Sequence, residues 1–318
     1  MNNFAKTRIF LTGGSGMVGK NILEHPAAAQ YDIVAPSSEE LDLTDTAATQ
    51  RFMMSTNPDI VIHSAGRVGG IQANMAHPVD FLVTNMDLGR NVIMAARQAG
   101  VPKLINLASS CMYPRNAPNP LSETLVLHGE LEPTNEGYAL SKIFATRLCE
   151  YINRESQQTG GAGLRYKTLI PCNLYGRHDK FEPQHSHLIP AIIHKVHDAK
   201  VKNLSEVEIW GDGMARREFM YAGDLADAAL RAVDEFDQLP DLINVGLGHD
   251  QSINDYYAVA AQVIGWKGNF VHDITKPIGM RQKLVDISRQ RAWGWMPATA
   301  LKNGIGKAYQ YYLKEWNK

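Results

Sequence analysis

Cysteine is scarce in this chain: Cys111, Cys149 and Cys172 are the three among 318 residues. Three thiols cannot build the disulfide framework on which small secreted domains depend, and they suit a reducing cytoplasm. Net charge is almost absent too, −1 from 32 Lys and Arg against 33 Asp and Glu. That balance offers no basic surface to a nucleic acid and no polybasic patch to a membrane. Long apolar runs are missing: residues 1–8 are polar and the run at 8–12 stops at a glycine turn, so neither a signal peptide nor a transmembrane span is expected. No internal repeat or low-complexity tract interrupts the chain. At this length a sizeable core forms as one large domain or two smaller ones.

What is present begins with Arg8-Ile9-Phe10-Leu11-Thr12, a short apolar strand, followed by Gly13-Gly14-Ser15-Gly16-Met17-Val18-Gly19 and a helical pattern with apolar Val18, Ile22 and Leu23. Strand, glycine-rich turn and helix in that order present helix N-terminal N–H groups to a pyrophosphate. The glycines at 13, 16 and 19 are spaced G-x-x-G-x-x-G, unlike the commoner G-x-G-x-x-G. Further on, Tyr138 and Lys142 stand four apart on a helix expected over 138–151 and so share a face. The cation is expected to favour the phenolate and to lower the tyrosine pKa from about 10. Ser109, at the end of an apolar strand, adds a hydroxyl for a developing oxyanion. Taken singly, a glycine turn can be a tight loop and Tyr-x-x-x-Lys a coincidence.

Apolar runs alternate with helical patterns through the first half, which predicts an α/β fold, a Rossmann-type doubly wound parallel sheet. Strands are expected at 8–12, 32–36, 59–63, 103–108 and 166–171, and helices at 17–24, 46–55 and 80–100. Catalytic residues then stand at the carboxyl ends of strands, where ligands bind in such sheets. From Arg177 the pattern is irregular, with a helix at 189–201 and short strands at 207–210 and 267–271. Residues 1–176 therefore read as a dinucleotide-binding domain and 177–318 mainly as a smaller α/β substrate lobe, with 212–248 returning to the first domain.

Several stretches carry a resemblance: Arg67-Val68-Gly69-Gly70-Ile71-Gln72-Ala73-Asn74, Ser109-Ser110-Cys111-Met112-Tyr113-Pro114, Leu131-Glu132-Pro133-Thr134-Asn135-Glu136, Asn173-Leu174-Tyr175-Gly176 and Ser186-His187-Leu188-Ile189-Pro190-Ala191. With the glycine turn and the Ser, Tyr and Lys they resemble, over nearly the whole chain, the extended short-chain dehydrogenase/reductase family, and within it the GDP-L-fucose synthase group. The resemblance implies an epimerase and NADPH-dependent 4-reductase acting on a GDP-linked 4-keto-6-deoxymannose-type sugar, as a homodimer without nucleic-acid or membrane partners. For NADP it implies Gly13, Ser15, Gly16, Met17, Val18, Gly19, Ser37, Ser38, Asp42, Leu107, Ala108, Lys142, Pro171, Asn173, Leu174 and His187. Reduction falls by the same resemblance to Ser109, Tyr138 and Lys142, and epimerisation to Cys111 and His187. A ketone acidifies the protons beside it, so inversion takes a base and an acid on opposite ring faces. For the nucleotide sugar the resemblance implies Ser110, Asn173, Lys195, Trp210, Arg217 and Lys283, combining cations for the pyrophosphate with an aromatic wall.

The chain departs from this pattern at several places. Many relatives carry an arginine in the glycine turn and a basic residue after the second strand; here Ser15 and Pro36-Ser37-Ser38 stand there. An NAD site places a carboxylate after that strand. Glu39 and Glu40 come a little late for it, so two serines are expected to receive a 2′-phosphate. Asp42 reads as an adenine contact or as a helix cap. Ile278 stands where relatives commonly have Asp, which leaves the sugar open. His178, His185 and His187 suggest zinc ligands, but no cysteine or carboxylate completes a set, and no metal is expected. GDP-L-colitose synthase, which inverts C5 alone on the 3,6-dideoxy sugar, remains an alternative. A non-enzymatic dinucleotide sensor is another, although Ser109, Tyr138 and Lys142 are all present. A 4,6-dehydratase would need acidic residues where Ser110 and Cys111 stand.

Overall fold

The apolar runs pair as a six-stranded parallel sheet in the computed structural model, which describes residues 6–158, 163–182, 186–276 and 280–316. His185 and Ile278 lie outside the described residues. Across the sheet the order is Leu242–Val245, Arg165–Pro171, Lys103–Leu107, Ile60–His63, Arg8–Thr12 and Asp32–Val34. Ile9 and Leu11 face one core and Phe10 the other, all fully buried, as befits strands covered on both faces. From Arg8–Thr12 the chain runs outward one way to Asp32–Val34 and the other way from Ile60–His63 onward. A crevice therefore opens at the carboxyl ends of Arg8–Thr12 and Ile60–His63, where ligands bind in such sheets.

Met17–Leu23 and Ala222–Asp234 pack together on one face, while Thr46–Thr56, Pro78–Gln98 and Glu136–Gln158 cover the other. Pro78–Gln98 begins two residues before the expected start, because proline suits the first helical turn. Glu136–Gln158 extends the expected 138–151 at both ends. A second core, of Ile189, Ile193, Val207, Ile209, Tyr256 and Tyr312, lies among Leu188–Val201, Ile253–Ile264, Leu301–Glu315 and the strand Glu206–Trp210. That strand pairs in parallel with Asn269–Asp273. The partner starts two residues later than expected because Trp266 folds across Gly268, where an added Cβ would meet the indole at 2.1 Å.

The chain crosses between these cores several times. Leu242–Val245 forms the edge of the main sheet. Gln282–Lys283 pairs with Arg216–Arg217, Val285 bridges Leu121, and Ile287, Trp293 and Trp295 bury themselves in the main core. Glu218 ties the crossings: its carboxylate accepts from the N–H groups of Leu247 at 2.5 Å, Gly248 at 2.9 Å and Val285 at 2.9 Å. Burial raises this carboxyl to about 7, against the downward pull of those three donors. Among the described residues no helix is long and apolar enough to cross a membrane.

Candidate active site

The glycine turn is set by close approach. Gly13 has φ +72°, a conformation that disfavours side chains, and an added Cβ would lie 2.7 Å from Ala65 N. Gly16 N–H donates to Gly13 O at 3.0 Å, and a Cβ on Gly19 would sit 2.2 Å from the same oxygen. Gly16 caps Met17–Leu23 without a side-chain hydrogen bond, which leaves the first-turn N–H groups uncapped beside exposed Ser15. Met17 and Val18 are half-buried, and Val18 packs on the main core. Close backbone and unclaimed N–H groups fit the pyrophosphate of a dinucleotide.

Beyond the second strand the turn folds Glu40 back so that its carboxylate accepts from Ser37 N–H at 2.7 Å, while Glu40 N–H donates to Ser37 Oγ at 3.3 Å. Those bonds hold the Glu40 carboxyl below its usual range, so it is ionised beside the two serines. Asp42 Oδ1 accepts from the N–H and hydroxyl of Thr44 at 2.8 and 2.7 Å, the local turn-capping pattern.

Lys103–Leu107 delivers Ala108 and Ser109 to the same end of the sheet. Ser109 Oγ accepts from Cys111 N–H at 3.2 Å and is hydrogen-bonded to the Tyr138 phenol. Lys142 is buried one helical turn on, as the four-residue spacing required. Its ammonium, however, donates to Leu107 O at 3.0 Å and lies 5.8 Å from the Tyr138 ring centroid. The expected lowering of the phenol is therefore not found. Burial, then the electrostatic influence of neighbouring Cys111, push Tyr138 well above its ordinary value, and the Ser109 bond only moderates this. Burial brings Lys142 down to about 8. The arrangement offers a protonated phenol and a serine hydroxyl to an oxyanion.

Cys111 is half-buried, and its sulfur accepts from Asn135 Nδ2 at 3.3 Å and from Lys283 Nζ at 3.5 Å. Asn135 lies three residues before Tyr138; it belongs to a stretch that the resemblance had marked, but no reactive group drew notice to it. Lys283 is brought in by its pairing with Arg217. His187 precedes Leu188–Val201 at its N-cap, and burial, then Lys180 and Lys283, lower its pKa. Gly70 presses the Arg67–Asn74 stretch against this segment: a Cβ there would lie 3.1 Å from Ser186 O.

Trp210 is 41% exposed, on the outer face of its strand, and not in the core. Lys195 and Lys276 stand over its ring at 5.7 and 5.8 Å from the centroid, and its Nε1 donates to Glu208 at 2.9 Å. Arg217 donates to its neighbour's carbonyl, Arg216 O, at 2.8 Å and feels the charge of Glu132. Ser110 is buried in the turn before Cys111. Asn173 and Leu174 follow Pro171 at the end of their strand, and Asn173 Nδ2 donates to Glu218 O at 2.9 Å. Among the described residues no cluster of three or more His, Cys, Asp or Glu is placed to hold a metal ion.

Comparison with known proteins gives the family. The model of the NAD dependent epimerase/dehydratase family matches residues 9–246. A GDP-L-colitose synthase of Yersinia pseudotuberculosis is 51% identical, across 98% of this chain and 99% of that protein. A GDP-L-fucose synthase of Azorhizobium caulinodans is 46% identical, across 96% of each. Among solved structures, a GDP-mannoheptose C4 reductase from Campylobacter jejuni with NADP bound superposes at a TM-score of 0.86, with 30% identity over 97% of this chain and 98% of that one. The chain belongs to the NAD dependent epimerase/dehydratase family.

Proposed function

We propose that this chain inverts and then reduces a GDP-linked 4-keto-deoxysugar with NADPH. The observation that carries the reading is the adjacency of two sets of groups. Ser109, Tyr138 and Lys142 suit carbonyl reduction, and Cys111 is their neighbour, its N–H donating to Ser109 Oγ and its side chain acting electrostatically on Tyr138 and Lys142. Relatives named for GDP-L-colitose and GDP-L-fucose synthesis support the substrate class.

In the first stage Cys111 takes a proton from the carbon beside the ketone, and the C–H electron pair moves onto the C4 oxygen as an enolate. Ser109 and Tyr138 hydrogen-bond that oxygen. His187, from the lobe side, returns a proton to the opposite face; the negative pyrophosphate offsets Lys180 and Lys283 and lets the imidazole carry it. In the second stage Tyr138 gives its proton to the C4 alkoxide, and Lys142 holds the Leu107–Ala108 backbone in register. NADP would be held by the turn at Gly13, Ser15, Gly16, Met17, Val18 and Gly19, with Ser37, Ser38 and Asp42 at the adenosine end and Lys142, Pro171, Asn173, Leu174 and His187 at the other. When bound in reduced form it supplies the hydride to C4.

Lys195, Trp210 and Arg217 would take the guanosine diphosphate. A 6-deoxymannose sugar and its 3,6-dideoxy analogue are both compatible with these groups, and the 51% identity to a GDP-L-colitose synthase favours giving the dideoxy substrate equal standing. The test is to supply both keto sugars to the purified protein with NADPH in deuterated water. NADPH oxidation with deuterium at C5 is expected, and the ratio of kcat/KM decides between the two. NADPH oxidation that leaves C5 unlabelled, or no oxidation with either sugar, would refute the proposal.

A further inference from the structure

We propose that Lys283 is a positioning residue for the Cys111 sulfur, holding it in the anionic form that proton abstraction requires; this rests on the epimerase reading of Cys111. The resemblance placed Lys283 with the pyrophosphate cations, and its strand pairing with Arg217 does bring it to that neighbourhood. Yet its buried ammonium points at the sulfur, 3.5 Å from Sγ. An ammonium at that distance favours a thiolate over a thiol.

Two further features bear on the contact. Asn135 Nδ2 approaches the same sulfur at 3.3 Å, so two donors and no acceptor in the described hydrogen bonds meet Sγ. An anion is satisfied by such a pair and a neutral S–H is not. The strand bearing Lys283 is held from two segments, by its pairing with Arg216–Arg217 and by the bonds of Leu284, whose N–H donates to Asn119 Oδ1 at 2.8 Å and whose carbonyl accepts from Leu121 N–H at 2.8 Å. The lysine is thus presented by a paired strand and not by a free loop.

The charged and titratable groups around Cys111 are Tyr138 and Lys142 on Glu136–Gln158 and Lys283 on its strand; His187, on the lobe side, feels Lys283 in turn. Lys142 is committed to Leu107 O, and Tyr138 is a neutral phenol near pH 7. Lys283 is then the cation whose own hydrogen bond reaches the sulfur. In turnover the thiolate takes the ring proton, becomes a thiol, and gives the proton back to solvent with Lys283 again beside it.

The test needs no sugar. Cys149 and Cys172 are buried, so iodoacetamide reports Cys111, and mass spectrometry assigns the site. The alkylation rate is followed against pH in wild type, Lys283→Met and Lys283→Arg, with NADPH affinity as the check on folding. Lys283→Met is expected to slow alkylation at pH 7 by about tenfold or more and to move the rise in rate to higher pH, while Lys283→Arg stays near wild type. An unchanged profile in Lys283→Met, or a Lys283→Arg variant as slow as Lys283→Met, overturns the assignment. If Lys283→Met raises the KM for the sugar nucleotide without moving alkylation, the lysine serves the pyrophosphate alone and the assignment is likewise overturned. Should Lys283→Met fail to bind NADPH, the wild type decides: its thiolate absorbance near 240 nm, taken as the difference from Cys111→Ser, must persist below the pH range of free cysteine. Loss of deuterium exchange in Cys111→Ser tests the epimerase reading separately, so the two can fail independently.

Discussion

The ammonium of Lys142 donates to the carbonyl of Leu107 at 3.0 Å and lies 5.8 Å from the centroid of the Tyr138 ring. The lysine thus couples the helix to the strand end carrying Ser109. Its folded pKa of about 8 against an ordinary 10.5 means that, between these values, the unfolded chain binds more protons and stability rises with pH. Below about 8 the buried charge is a full cost. Relative to Lys142→Met, the wild type should therefore gain up to ~3 kcal/mol as pH rises from 8 towards 10.5, with a flat difference below 8. Urea unfolding of both proteins across pH 6–10 measures this, and a difference that stays constant throughout would count against it.

Tyr138 is a phenol held in its protonated form by burial. Tyr138→Phe should lower kcat for reduction by about 10²–10⁴ while leaving NADPH affinity nearly unchanged. More than about a tenth of wild-type kcat in the variant would show that another acid serves the alkoxide.

Glu40 places a carboxylate at the serines expected to meet a 2′-phosphate. NADPH should therefore be preferred over NADH only modestly. Glu40→Gln should raise the ratio of affinities in favour of NADPH by up to about fivefold, the effect of one screened charge, and the gain should shrink with added salt. Titration by nicotinamide fluorescence gives both constants. A ratio unmoved by the substitution would place the phosphate elsewhere.

Gly19 has no room for a methyl group, since a Cβ would lie 2.2 Å from Gly13 O. Gly19→Ala should weaken NADPH binding at least tenfold and lower Tm, because the backbone of the turn must shift (about 1–3 kcal/mol for overpacking). Wild-type affinity and Tm together would mean the turn yields without cost.

Much of the fold was legible because it rests on local pattern. The buried strands read as apolar runs, and Gly13, Gly16 and Gly19 mark a turn whose close contacts the structure displays. Tyr138 and Lys142 share a face because a helix demands it. What could not be read was direction. Spacing puts Lys142 beside Tyr138 but does not say that Leu107 O will claim its ammonium. Distance along the chain also hides contacts: Glu40 stands late after the second strand, and only the folded turn shows its carboxylate at Ser37 N–H. Lys283 and Cys111 are 172 positions apart, and no periodicity connects them.

The return of residues 282–295 also constrains the order of folding during synthesis. The main core takes in Val285, Ile287, Trp293 and Trp295, and the edge strand of its sheet is Leu242–Val245. An emerging chain that has exposed only its first half holds four of the six strands and lacks the aromatic residues that close them over. Contacts of such long sequence separation form late and slow folding. On the ribosome the dinucleotide turn would thus wait, partly uncovered, until nearly the whole chain has been made, and a nascent chain stalled near residue 280 should be held by chaperones instead of binding cofactor.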